Sequence, residues 1–248
     1  MTEKKLGKLP PRHDHRTYKL TAPIKRPDIA IPETCDWSRG IRYDMNGNDR
    51  YGDCAFASRS ALLLTWTALA QAPIRLTETE TLQDYAQATG FNPETEANDN
   101  GTILLDALNM WRREGFNRHG QTRDYLTAYG ALEHKDHDAV RRAIYVLGGV
   151  YLGIRVPKYL MEIEGDWVYI HDADWTFVGG HCIAALGFDA FGPRIFTWSS
   201  TRRMSWELWD AIVDEAYGLV SLEDQMTIHG KNNIGLDLTD LINEVRQL

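Results

Sequence analysis

The two halves of this chain carry different hydrophobic periods, and that split constrains the fold most. In the first half, apolar residues recur at helical spacing. Cys54–Ala70 (CAFASRSALLLTWTALA) is rich in Ala and Leu, places apolar residues on one face and has Asp53 at its start as an N-cap. Thr77–Ala88 is a second helix, opened by a Thr77/Glu80 capping box. Ile103–Glu114, closed by Gly115, is a third, and Asp138–Leu147, closed by Gly148 and Gly149, a fourth. Asn92–Asn100 reads as an acidic loop. The second half switches to short β-like runs between Gly and Asp turns: Val150–Val156, Trp167–Ile170, Cys182–Phe188 and Arg194–Trp198. Trp206–Tyr217 fits either a helix or a pair of strands. Helices first and strands after predict an α+β fold with two segregated lobes.

Composition narrows the function classes. With 248 residues, 43% of them hydrophobic and 25% charged, the chain can bury a full core and is not a low-complexity polymer. The net charge of −8 comes without a Lys/Arg stripe, so nucleic acid is not an expected partner. No run of about 18 apolar residues exists to span a membrane, and the lysines at positions 4 and 5 precede no apolar segment of a secretory signal. Cys35, Cys54 and Cys182 form no CxxC pair, and their odd number leaves at least one free thiol. A reducing location, cytoplasmic or virion-associated, is the expectation. Residues 1–30, rich in Pro and basic side chains, read as an extended arm, and residues 31–248 as the folded domain.

Within that domain, Cys54 stands at the first turn of a predicted helix. Unpaired N–H groups and the positive end of the helix dipole there favour a thiolate. The loop before it carries Gly47 and Gly52, which permit close approach. The alternative is a buried structural cysteine, the common fate of a free thiol. His181 follows Gly179-Gly180 and opens an apolar strand. A nucleophilic Cys needs a His base, usually brought from elsewhere in the fold; a structural histidine is the blander reading.

Six segments, in order, carry a family resemblance. Ile31-Pro32 with Asp36-Trp37-Ser38 resembles the opening of mature papain-like cysteine peptidases, and Asn48–Ala57 (NDRYGDCAFA) resembles their nucleophile segment. Leu76–Glu80 with Leu82-Gln83-Asp84, then Asn100-Gly101 with Ala107-Leu108 and Glu114-Gly115-Phe116, are similar to the two blocks that follow. Gly179–Asp189 (GGHCIAALGFD) is similar to the histidine block, and Ile195–Ser199 with Met204-Ser205-Trp206 to the Asn-Ser-Trp block. The resemblance spans roughly residues 31 to 220 and implies a papain-like two-lobe fold: a helical lobe at about 40–140, a β-rich lobe at about 141–235 and a cleft between them. It implies Cys54 as nucleophile, His181 as general base and Asn48 as oxyanion donor beside the Cys54 N–H.

Several positions depart from the family pattern. Asn48 is one methylene shorter than the family's Gln. Asp53 sits beside the thiol, where a carboxylate opposes its ionisation. The family's Asn that orients the histidine is replaced: direct alignment on Trp198 puts Phe196 there, and a one-residue gap puts Thr197 there. The leader Leu6–Arg16 is similar to the short leaders of compact bacterial and phage-encoded members and is too short for an inhibitor domain.

Other candidates are weaker. His13/His15 and His134/His137 lack partners at ligand spacing, so no metal or other cofactor is expected. Asp172 and Asp174 read as a solvated turn, with a cleft rim favouring basic substrates as the sharper alternative. Trp198 and Trp206 either shield the site or pack a core, and Cys182 is a buried spectator on the face opposite His181. The sequence therefore predicts a thiol hydrolase acting on a protein, peptide or cell-wall peptide amide. Its rival is a non-catalytic structural or binding module, such as a phage-virion component with a degraded triad. A transferase using the same dyad is a third option.

Overall fold

The computed structural model describes residues 4–25, 28–120, 122–227 and 229–246; positions 1–3, 26 and 27 of the arm lie outside them. In chain order the elements are α1 (Thr21–Ile24), β1 (Cys35–Asp36), α2 (Cys54–Leu69), α3 (Glu78–Thr89), α4 (Leu104–Arg113), β2 (Phe116–His119), β3 (Thr122–Asp124), β4 (Ala128–Ala131) and α5 (His137–Leu147). There follow β5 (Val150–Pro157), a 3₁₀ turn (Lys158–Met161), β6 (Phe177–Phe188), β7 (Pro193–Thr197), β8 (Ser200–Arg203), α6 (Trp206–Ile212), β9 (Val213–Val220), α7 (Leu222–Gln225) and α8 (Leu238–Arg246). The fold is α+β.

An antiparallel sheet in the order β4-β9-β5-β6-β7-β8 forms the second half, with β1 adding to β6. Alternation along β6 explains how one strand serves two cores. Cys182, Ala184 and Leu186 pack with Phe56 and Leu62 of α2. Ile183 and Ala185 join Val140 and Ile144 of α5 in the second cluster, and Phe188 reaches the same cluster past the register shift between Ala185 and Gly187.

The helical predictions match closely. The Thr77/Glu80 capping box is formed, and Gly148 ends α5 in the left-handed conformation that favours glycine. α2 differs from a one-faced amphipathic helix, because every residue from Cys54 to Thr67 is buried. Its polar side chains are paired instead. Arg59 meets Asp84 at 2.8 Å and also Asp124, and Thr65 and Thr67 bond back to the Ala61 and Leu63 carbonyls. Asp53 is not a side-chain cap; only its carbonyl receives the Phe56 and Ala57 N–H groups.

The second half is less regular than its sequence pattern. Trp167–Ile170 is not a strand; Trp167 makes one isolated bridge to Met204. Trp206–Tyr217 is neither a helix throughout nor a pair of strands: α6 runs directly into the single strand β9. Strands β2, β3 and β4, too short for a clear period, were not foreseen. Among the described residues, no helix is long and apolar enough to cross a membrane.

Candidate active site

The two residues singled out by their local settings come together although 127 positions separate them. Cys54, at the start of α2, is fully buried, and its sulfur accepts the Cys182 N–H at 3.3 Å. Cys182 directly follows His181 in β6, so α2 and β6 bring the thiol and the imidazole-bearing residue to one place. Ser58 Oγ, one turn along α2, donates to the Cys182 carbonyl at 3.0 Å and pins the same junction.

His181 is 1% exposed. Its Nε2 lies 2.9 Å from Thr197 Oγ1, and its Nδ1 has no hydrogen-bond partner. Thr197, and not Phe196, therefore meets the imidazole; Phe196 packs against Tyr43. Trp198 covers the imidazole with its ring centroid 4.2 Å away and the planes 12° apart. The β7–β8 turn makes this possible: Trp198 and Ser199 take φ of +42° and +61°, so the chain reverses tightly after Thr197 and lays the indole back over His181. Trp206 is elsewhere, stacked on His137.

Asn48 is buried in the loop before α2, its Nδ2 donating to the Tyr51 carbonyl at 3.3 Å. The carboxyl of Asp53 is fully buried and without a hydrogen-bond partner, so desolvation pushes its pKa well up and favours the neutral acid. Asp99 went unnoticed in the sequence. It accepts the Gly52 N–H at 2.8 Å and the Tyr85 hydroxyl at 2.8 Å, tying the loop before Cys54 to α3. Nothing in its acidic loop, read by type alone, marks it out.

The arm runs through the site. Lys5 N–H donates to the Asn48 carbonyl (3.2 Å), and the Lys5 carbonyl accepts from Trp198 Nε1 (3.2 Å). Gly7 is pressed against Gly52 and Gly101, and its carbonyl accepts the Thr102 N–H at 2.8 Å. Lys8 N–H donates to the Gly180 carbonyl at 3.0 Å, and Leu9 N–H to Thr102 at 2.9 Å. The segment thus bridges the loop before α4 on one side and β6 on the other. Under this cover burial pushes the Cys54 thiol up to about 12 and holds the His181 imidazole down to about 3. Both are neutral near pH 7.

The remaining candidates lie outside this arrangement. His13 and His15 are exposed. His137 pairs with Asp210 at 2.7 Å. Asp174 caps its own turn at Thr176 and pairs with Lys158. Cys182 is buried on the α2 side of β6. All three cysteines are free, and among the described residues no His, Cys, Asp and Glu cluster is arranged to hold a metal ion.

No family model matches the sequence, and no curated protein does. Solved structures do. Xylellain, a cysteine protease from Xylella fastidiosa, superposes with a TM-score of 0.66 at 16% identity over 89% of this chain and 98% of its own. Procathepsin B S9 from Trypanosoma congolense gives 0.60 at 13% identity, covering 88% and 86%. The Carica candamarcensis cysteine protease CMS1MS2 gives 0.58 at 13% identity, covering 77% and 99%. At such identities the likeness establishes the architecture: this is the papain-like fold.

Proposed function

We propose that this chain, folded like the papain-like cysteine proteases, is a thiol hydrolase of peptide or amide bonds, with Cys54 as nucleophile and His181 as base. One observation carries the reading. The imidazole is oriented by Thr197 through Nε2 and leaves Nδ1 unpartnered, one residue from the N–H that touches the Cys54 sulfur. A structural histidine in a dry site normally has its polar atoms satisfied.

The chemistry follows from these groups. Cys54 sulfur attacks the carbonyl carbon while His181 takes the thiol proton. The Cys54 N–H and the second Asn48 Nδ2 proton stabilise the oxyanion. His181 returns the proton to the departing amine, leaving a thioester. Water, deprotonated by His181, then cleaves the thioester and restores the thiol. Burial of both groups under the arm opposes the charged pair, so the arm must leave before the reaction begins. Substrates in this reading are proteins or peptides, cell-wall peptides included.

The test combines hydrolysis with site-resolved alkylation in the Gly7→Ala protein, whose arm cannot seat. At pH 7, iodoacetamide is expected to label Cys54 much faster than Cys35 or Cys182, and peptides to be cleaved; His181→Ala in the same background removes both effects. Equal, slow labelling of all three cysteines without cleavage refutes the enzyme and favours the rival: a binding module, such as a virion component, in which the arm is a permanent strand.

A further inference from the structure

The arm fills the cleft with backbone, but it also inserts one side chain. Lys8 is a lysine whose side chain is only 1% exposed. Its Nζ lies 2.9 Å from Asp214 Oδ2 and 3.2 Å from Glu215 Oε1. The two carboxylates open β9, and Glu215 is held from its other oxygen by the Tyr217 hydroxyl at 2.9 Å. Asp214 Oδ1 has no hydrogen-bond partner, and the ion pair with Lys8 is the contact of Glu215 Oε1.

Gly153 of β5 provides the wall of this pocket. A Cβ there would stand 2.7 Å from Lys8 Cδ and 2.9 Å from Glu215 Cγ. Its φ is not in the left-handed region, so backbone conformation does not require glycine at this position. The lysine stem does. The pocket is therefore shaped for a long unbranched side chain and ends in negative charge.

Its position relates it to substrate. Gly7, the neighbour of Lys8, lies over Gly52 and Gly101 beside Cys54, and its N–H is among the dipoles that favour the thiolate. The Lys8 main chain uses the Gly180 carbonyl, and the flanking residues use Thr102. These are backbone groups that any extended peptide can use. A peptide replacing the arm thus brings a side chain into the same pocket, one residue from the position over the sulfur; when it runs opposite to Gly7-Lys8, its lysine precedes the residue whose carbonyl meets Cys54.

We propose that Asp214 and Glu215 select a lysine or arginine side chain in the peptide that enters the cleft, with Lys8 as its resident stand-in. The proposal rests on the thiol-hydrolase reading for its consequence in catalysis, but selection can also be read from binding alone. A neutral side chain leaves two crowded carboxylates without a counter-charge, and an acidic one adds repulsion.

The experiment uses full-length Gly7→Ala protein and its Asp214→Asn/Glu215→Gln derivative, both checked by thermal melting. Single Glu215→Gln serves if the double variant does not fold. Coumarin amides of blocked Lys-Gly, Leu-Gly and Glu-Gly report hydrolysis. Fluorescent peptides spanning positions 4–11, with lysine or norleucine at position 8, report binding by anisotropy. Lys-Gly is expected to exceed Leu-Gly at least about tenfold in kcat/KM, with Glu-Gly lowest. The lysine peptide should bind about tenfold more tightly than the norleucine peptide, and both preferences should collapse in the derivative. Equal treatment of lysine and its neutral analogue, or a preference unchanged in the derivative, overturns the pocket assignment. Lysine-selective binding without any hydrolysis supports the pocket and refutes the enzyme reading.

Discussion

Gly7→Ala is the sharpest perturbation of the closed site. Gly7 packs directly on Gly52, and a Cβ would overlap the Gly52 carbonyl and Cα, all of it backbone with no side chain to swing aside. The arm must therefore lift around position 7. Three hydrogen bonds go with it: Thr102 N–H to the Gly7 carbonyl, Lys8 N–H to Gly180 and Leu9 N–H to Thr102. At about 1 kcal/mol net each, their loss is worth about 3 kcal/mol. That raises the open population by about two orders of magnitude. Because Cys54 is fully buried in the closed state, its alkylation reports this population. The measurement is the iodoacetamide rate at each cysteine, followed by mass spectrometry of tryptic peptides. Cys54 should react about 100-fold faster in Gly7→Ala, with Cys182 unchanged behind β6. An unchanged Cys54 rate in a folded variant refutes the arm as the barrier, as does a wild-type rate already equal to that of a free thiol.

Further expectations follow from the same geometry. Thr197→Val removes the oxygen at His181 Nε2 and should lower peptide cleavage in the Gly7→Ala background about tenfold through one lost hydrogen bond; unchanged kcat/KM would exclude Thr197 as the orienting group. Burial holds the folded His181 pKa at about 3, against about 6.5 when unfolded. Its stabilising effect is complete above pH 6.5 and is lost as pH falls from there toward 3. His181→Gln should therefore lose less Tm than wild type between pH 7.5 and pH 4.5, and parallel curves would argue against a dry imidazole. Cys54 behaves oppositely: with the folded pKa near 12 and the unfolded near 8.5, its contribution is complete below pH 8.5 and lost above it. Cys54→Ala should flatten the alkaline limb of the stability profile, which calorimetry can follow. Arg59→Met strands the buried Asp84 and Asp124 carboxylates; a loss of about 3–5 kcal/mol in urea unfolding is expected, and a change below about 1 kcal/mol would contradict a paired role for Arg59.

The long helices were readable because their signals are local. Thr77 and Glu80 close a capping box within one turn, and Gly148 ends α5 through its own backbone freedom. Short strands such as β4 carry too few residues for a period, and they exist because β9 offers them a partner from far along the chain. Trp167 reads as a strand residue for its bulk, yet its surroundings provide only one bridge. Asp53 looked like a cap by type, but the close packing of the loop around it buries its carboxyl instead.

The sequence by itself determined the succession of helices followed by strands, the boundaries of α2 to α5, and the two residue types that could form a nucleophile and base. Those features depend on neighbours a few positions away. Only the tertiary structure decided that Thr197 rather than Phe196 meets the imidazole, that Asp99 holds the loop before Cys54, and that the arm lies between the loop before α4 and β6 with Lys8 on Asp214 and Glu215. These contacts join residues separated by 16 to 207 positions. No local pattern encodes such a meeting; the packing of β6 against α2 and the pairing of β5 with both β6 and β9 bring the partners together.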